Sequence, residues 1–418
     1  MRKILVLTCF AVWGTLLYLS CSEDTSQPDD TQIKTDIGTE DTIEIRDEFI
    51  IPDTTQDNIE ISDTEPSDVI SDILPDKPEN DTSQPDGGIT DIGVEVEDVI
   101  TDVNPLPPAK IIAGSGIDIT YNGKPRQIRI DNTYNTVKDI KMSVPDSRVP
   151  YYLRVDELHF DLLFGDTDGS KNLSDGDKLI RIIISNDFYG ETEGGTSTKD
   201  PLSKAKGEFG NSDHQSTMSI EGKEYTLNFY FKKGINIATD SSQIITGFTI
   251  YRPQRVVPSS EIDYENTKVL GITADIALFM SAATKISEMR NILGPEDVMV
   301  EDTTNKLIYY NYLSIGFTAI DSQTNSGDVK TITLYPPYFG KLKGTSLTLG
   351  ASKNNIESFF NSKYGMPKTL QQGDATIYYY VIKTKDLGLK KYDICLGFIY
   401  NQNDNVAAIL VGLPIEKK

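Results

Sequence analysis

The stretch that decides the fold is "ASKNNIESFFNSKYGMPKTLQQGDATIYYYVIKTKDLGLKKYDICLGFIYNQNDNVAAILVG", residues 351–412. Its first 17 residues read as a helix and its stop. Ser352 is placed to cap the free amides of the first turn. Ile356, Phe359, Phe360 and Tyr364 fall on one helical face. Gly365 can leave the helix with a positive φ, and Pro367 blocks its continuation. Three runs rich in β-branched and aromatic residues follow, "TIYYYVI", "DICLGFIY" and "VAAILVG", separated by Gly, Asn and Asp. The segment therefore predicts a short helix followed by a three-stranded antiparallel sheet.

The plan recurs upstream. Comparable starts lie at Gly116, Gly195, Gly271 and Gly344, with spacings of 79, 76 and 73 residues. "TKISEMRNILGP" (284–295) repeats the helix, with Thr284 as cap, Ile286, Met289 and Leu293 as stripe, and Gly294-Pro295 as stop. "LIYYNY", "LSIGFTAI" and "VKTITLY" are its strands. A poorer helix, "TKDPLSKAKGEFG", precedes "TMSI", "YTLNFYF" and "QIITGFTIY". The first unit has "VPYYLRV", "LHFDLLF" and "KLIRIIIS" but only "YNTVKDIKMSV" as a helix candidate, ended by Val144-Pro145. The expected fold class is α+β: tandem repeats of a short helix and a three-stranded antiparallel sheet, paired as 109–258 and 259–418.

The layout of helix, L-G-x-P, and then Y…G-x-x-F…V-x-x-I over residues 195–415 resembles the repeats of β-lactamase-inhibitor-like proteins and BamE-like modules. The resemblance implies protein–protein binding through an exposed sheet face or its loops. Fold alone does not give function, and no contact residue transfers from so short a motif.

The start of the chain says where such a body would reside. Arg2 and Lys3 precede a 16-residue apolar run, Ile4 to Leu19. A spanning helix needs about 20 residues, so residues 1–20 read as a cleaved signal peptide. "LLYLSC" resembles a bacterial lipobox, with Tyr18 where leucine is usual. The resemblance implies a diacylglycerol on the Cys21 sulfur and a mature chain beginning there. Two or more acyl chains anchor stably where one is marginal. Ser22 is not the aspartate associated with inner-membrane retention. The expected location is the bacterial cell envelope, at the outer membrane, on its periplasmic or outer side, with the bilayer as first partner.

The net charge of −23 is local. Residues 22–108 hold 26 acidic and 3 basic residues, one aromatic (Phe49), and "DTSQPD" twice. So little apolar surface and so much self-repulsion predict a disordered tether over 21–108, with a span of roughly 50 Å or more. The remaining body, with 37 acidic and 35 basic residues, is near neutral and shows no basic stripe, which argues against nucleic acid. Cys9 leaves with the leader and Cys21 takes lipid, so Cys395 stands alone in an apolar run.

Motifs with catalytic mechanics are missing: no G-x-S-x-G, P-loop or H-E-x-x-H occurs. In "FGDTDGSKNLSDGDKLIRI", Asp166, Asp168 and Asp175 offer oxygen ligands for calcium. Laid on an EF-hand loop they leave Phe164 at the first ligand position. A solvated turn between strands is the plainer role. His159 and His214 are the only histidines and share no ligand spacing. In "IYYNY" and "IYYYV", Tyr310 and Tyr312 share one strand face, as do Tyr378 and Tyr380. They are candidates for an interface, against a plainer role as cross-strand pairs. "LYPPYFGKLKG" reads as a stiff connector between units, a wedge rather than a binding knob. The functional expectation is a lipid-anchored, non-catalytic protein that binds a protein or cell-wall component and needs no cofactor. An envelope hydrolase with carboxylates unrecognisable from sequence, or a structural scaffold, is the alternative.

Overall fold

Alternating β-branched and aromatic residues do form strands, but the strands join across the expected units. The computed structural model describes residues 108–145, 151–166, 172–220, 222–276, 282–303, 305–322, 327–372, 375–388 and 390–417. The leader, Cys21 and the acidic tether to residue 107 lie outside the described residues.

Strands β1 (Ala109–Ile112), β2 (Gly116–Tyr121), β3 (Lys124–Arg129) and β7 (Gly190–Thr192) form a small sheet in the order β3-β2-β1-β7. Strands β4 (Tyr152–Val155), β5 (Phe160–Gly165), β6 (Lys178–Ser185), β8 (His214–Ile220), β9 (Lys223–Tyr230), β10 (Ile235–Asp240) and β11 (Ile245–Ile250) form a seven-stranded antiparallel sheet. A two-stranded ribbon, β12 (Lys268–Val269) and β13 (Ile272–Thr273), comes next. The last sheet has eight antiparallel strands in the order β14-β15-β16-β17-β21-β20-β19-β18. These are β14 (Val298–Asp302), β15 (Leu307–Tyr312), β16 (Phe317–Ser322), β17 (Thr331–Leu334), β18 (Lys368–Gln372), β19 (Ala375–Asp386), β20 (Lys391–Tyr400) and β21 (Val406–Lys417).

This overturns the expected fold class. The described residues are mostly β, with large antiparallel sheets and only three helices, α1 (Leu202–Phe209), α2 (Ile286–Leu293) and α3 (Lys353–Tyr364). Independent units of a helix with a three-stranded sheet are not present. Each of these helices is followed by four strands rather than three, and β6 pairs with β11 and β17 with β21, so no unit keeps a sheet of its own. The strands missed from sequence are those of the small sheet (β1, β2, β3 and β7) and of the ribbon (β12 and β13), and, in the two large sheets, β10 and the edge strands β14 and β18. "VMVED" and "KTLQQ" carry the polar, charged character that protects an edge, and so lack the signal of a buried strand.

The helix ends follow local chemistry. The Asn355 amide donates to Ser352 Oγ at 3.4 Å. Gly210, Gly294 and Gly365 close the three helices with φ of 83°, 93° and 77°, a conformation that side chains resist. Thr284 does not cap α2. Its hydroxyl instead accepts from the Thr273 amide at 2.9 Å, tying the ribbon to the helix entry. The first-unit helix candidate is reduced to one 3-10 turn, Tyr134–Thr136.

Two main cores result. One contains Ile111, Ile117 and Ile128 of the small sheet and Leu162, Ile182 and Phe248 of the seven-stranded sheet. The other lies where α2, α3 and the ribbon cover one face of the eight-stranded sheet, centred on Met289, Phe317, Phe360 and Phe398. Each core takes residues from the other half. Val298, Leu313 and Tyr335 belong to the first, and Phe229 and Phe231 to the second. At Gly165 the approach is so close that a Cβ would sit 2.5 Å from Val298 Cγ2. The connector at 334–344 is a wedge: Tyr335 and Tyr338 are buried, and Phe339 stacks on His214 with ring centroids 3.9 Å apart.

Candidate functional site: a lysine-lined cleft

The residues singled out in the sequence do not converge. Tyr310 and Tyr312 lie beneath α2, with the Tyr312 hydroxyl donating to the Gly294 carbonyl at 3.0 Å. Tyr380 lies beneath α3 and donates to Asn361 Oδ1 at 3.0 Å. These three rings are buried in the core rather than on a surface, because the helices cover the face they share. Tyr378 is half-buried against Tyr400, with Lys353 Nζ 4.2 Å above its ring. Asp166 is buried, Asp168 lies outside the described residues, and Asp175 pairs with Lys138 at 3.0 Å. Among the described residues no group of three acidic, histidine or cysteine side chains could hold a metal. His159 ends a 3-10 turn in a left-handed conformation, and His214 belongs to the wedge. Cys395 is buried, and burial pushes its thiol up to about 12.

What the fold does assemble is a cleft of about 330 Å³ where the ribbon meets the far end of β19–β21. Two bulges make it. On β19, Val381 pairs with Cys395 but Lys383 pairs with Ile394, leaving Ile382 as the extra residue. On β21, Val411 pairs with Leu396 and Leu413 with Cys395, leaving Gly412 extra, at φ 77°. Side chains alternate along a strand, so one extra residue reverses which face the following ones occupy. Without Ile382 as a bulge, Lys383 and Lys385 would follow Tyr379 and Val381 on the face away from the helices. With it, they share the face of Tyr380, Leu396 and Ile394, and they line the cleft.

The ribbon supplies the opposite wall. Lys268 and Thr273 are directly paired and so share a face. Thr267 connects the wall at φ 53°, a genuine outlier for a β-branched residue. It is held there because its hydroxyl lies 2.7 Å from the Asn266 carbonyl and 2.6 Å from that of Ala274. Gly412 is required where it stands: a Cβ would lie 3.1 Å from Ala274 Cβ.

The charges around the cleft divide clearly. Asp275 accepts from Lys385 and from the Ala282 amide at 3.3 Å. Asp263 accepts from Lys343 at 2.7 Å and Asn266 at 2.9 Å. Burial raises the Asp263 carboxyl, but these hydrogen bonds outweigh it and leave it below the usual range. The Glu265 carboxylate is taken by Lys363 at 2.6 Å, and that hydrogen bond draws it below its ordinary value. Lys383 Nζ donates to the Glu265 carbonyl at 3.1 Å. Lys268 and Lys383 thus face the cleft with no carboxylate partner among the described residues.

Neither lysine was a candidate from sequence. Their convergence depends on a bulge at Ile382 that nothing in "YYYVIKTKD" announces. A strained, non-glycine residue beside a cleft is the kind of feature that accumulates at functional sites.

Set against family models, curated proteins and solved structures, the chain finds no match.

Proposed function

We propose that this chain is a lipid-anchored protein of the bacterial cell envelope whose folded body binds an envelope component without transforming it. The leader supports the anchor, since "LLYLSC" ends at a cysteine followed at once by the acidic tether. The cleft carries the binding half of the reading: two exposed ammoniums, one from each of its facing walls, line it without a carboxylate partner among the described residues, beside a strained backbone. The tether would give the body reach from the membrane surface.

The two halves separate experimentally. Cys21→Ser should move the protein from the membrane fraction to the soluble fraction and abolish incorporation of labelled palmitate. Retention in the membrane would sink the anchor. A photo-crosslinking residue at Lys268 should give an adduct in living cells that one at Asn403, in the distant turn between β20 and β21, does not. Equal labelling at both positions, or none at either, would remove the binding role from the cleft.

A further inference from the structure

We propose that the cleft formed by Lys268, Lys383 and Lys385 binds a phosphate ester. The inference rests on the binding reading above and names its ligand class. The cationic side chains lining the cleft are all lysine. The two-pronged guanidinium of arginine matches carboxylate and phosphate alike, whereas lysine acts as a compact point charge and binds phosphate in that role. Two of the three ammoniums lack a carboxylate partner among the described residues, and three neighbouring acids are engaged: Asp275 by Lys385, Asp263 by Lys343 and Glu265 by Lys363. Asp275 holds Lys385, which is less exposed than Lys268 and Lys383, so an entering anion meets those two first.

Size agrees with this assignment. About 330 Å³ is at the lower end of small-molecule sites. It accommodates a phosphate with a glycerol- or sugar-sized substituent. Ile276, Ile394 and Ala274 provide an apolar side to the same cleft, against which the carbon part of an ester can lie. The ester can arrive free in solution or as the headgroup of a phospholipid, and the chemistry recognised is the same.

The experiment uses the purified full chain and two probes. The first is sn-glycerol 3-phosphate, titrated by calorimetry with inorganic phosphate alongside. The second is vesicles of phosphatidylglycerol in phosphatidylcholine, compared with phosphatidylcholine alone, by co-sedimentation of Cys21→Ser so that the anchor does not contribute. Lys268→Ala and Lys383→Ala remove exposed side chains and should leave the fold intact, checked by circular dichroism. Each should weaken binding at least tenfold and reduce its salt dependence, while Lys353→Ala, over the Tyr378 ring, should change nothing.

Glycerol phosphate binding lost in both cleft variants supports a soluble ester. Vesicle binding alone, lost in the same variants, supports a headgroup. Binding of neither probe, or binding that survives both variants, overturns the proposal. If phosphate fails while the Lys268 crosslink persists in cells, the ligand class falls and the binding function stands. If both fail, the cleft is not the site.

Discussion

His214 shows how one side chain acquires a property its sequence context does not reveal. It lies on the edge strand β8, yet its ring is parallel to Phe339 within 4° and tilts over Phe229 at 5.8 Å. Burial lowers its pKa from the ordinary 6.5. The folded state therefore releases a proton that the unfolded chain holds, and the stability this residue contributes is complete above the unfolded pKa. It is lost as pH falls from there through the lowered folded value. Unfolding midpoints in urea measured between about pH 5 and pH 7.5 should fall on the acid side in the native chain. In His214→Phe, which keeps a stacking ring but cannot titrate, that part of the slope should vanish. An unchanged slope would place the titration elsewhere.

At the level of elements, α3 and the double bulge are opposite cases. The helix was legible because its signals are local: Ser352 at the start, an apolar stripe, and Gly365 at the stop. Its anchor is Phe360, fully buried among Tyr264, Tyr364, Tyr380 and Phe398. Phe360→Ala should cost about 3–5 kcal/mol by chemical denaturation, since removing a buried ring leaves a cavity that packed neighbours cannot fill. A loss below about 1 kcal/mol would mean the helix is not seated as described. The bulges were not legible, because what makes Ile382 and Gly412 extra is the pairing of three strands with one another. Gly412→Val should cost at least roughly 1–2 kcal/mol from the positive φ alone, with crowding against Ala274 in addition. It should also shift the ribbon side of the cleft, where Lys268 stands. Wild-type stability in Gly412→Val would show that the bulge can be moved.

Across the whole molecule, the two halves of the body share their interiors. Phe339 of the connector reaches the rings of β8 and Phe231, and Val298, Leu313 and Tyr335 pack with the seven-stranded sheet. Arginines reinforce the joint: Arg255 donates to the Asn291 carbonyl at 2.9 Å, and Arg252 to those of Pro295 and Glu296 at 3.0 and 3.1 Å. These carbonyls lie at and just beyond the C-terminal end of α2, where a positive charge is favoured. A scanning calorimetry trace of the chain should show one cooperative transition for the body, and Phe339→Ala should lower its midpoint without splitting it. Two resolved transitions would mean the shared cores contribute little coupling. The sequence by itself determined the strand-rich runs, the start of α3, the glycine stops of α2 and α3, the near-neutral body behind an acidic stretch, and the lipobox-like run up to Cys21. Each is written in composition or in neighbours within a few residues. Only the tertiary structure decided that the strands merge into sheets of seven and eight, that Tyr310, Tyr312 and Tyr380 are buried, and that three lysines from two distant segments line one cleft. Those outcomes depend on edge pairing and on single-residue register shifts, which are set by partners in other strands, in the helices and in the ribbon, beyond the few residues over which a local sequence pattern is read.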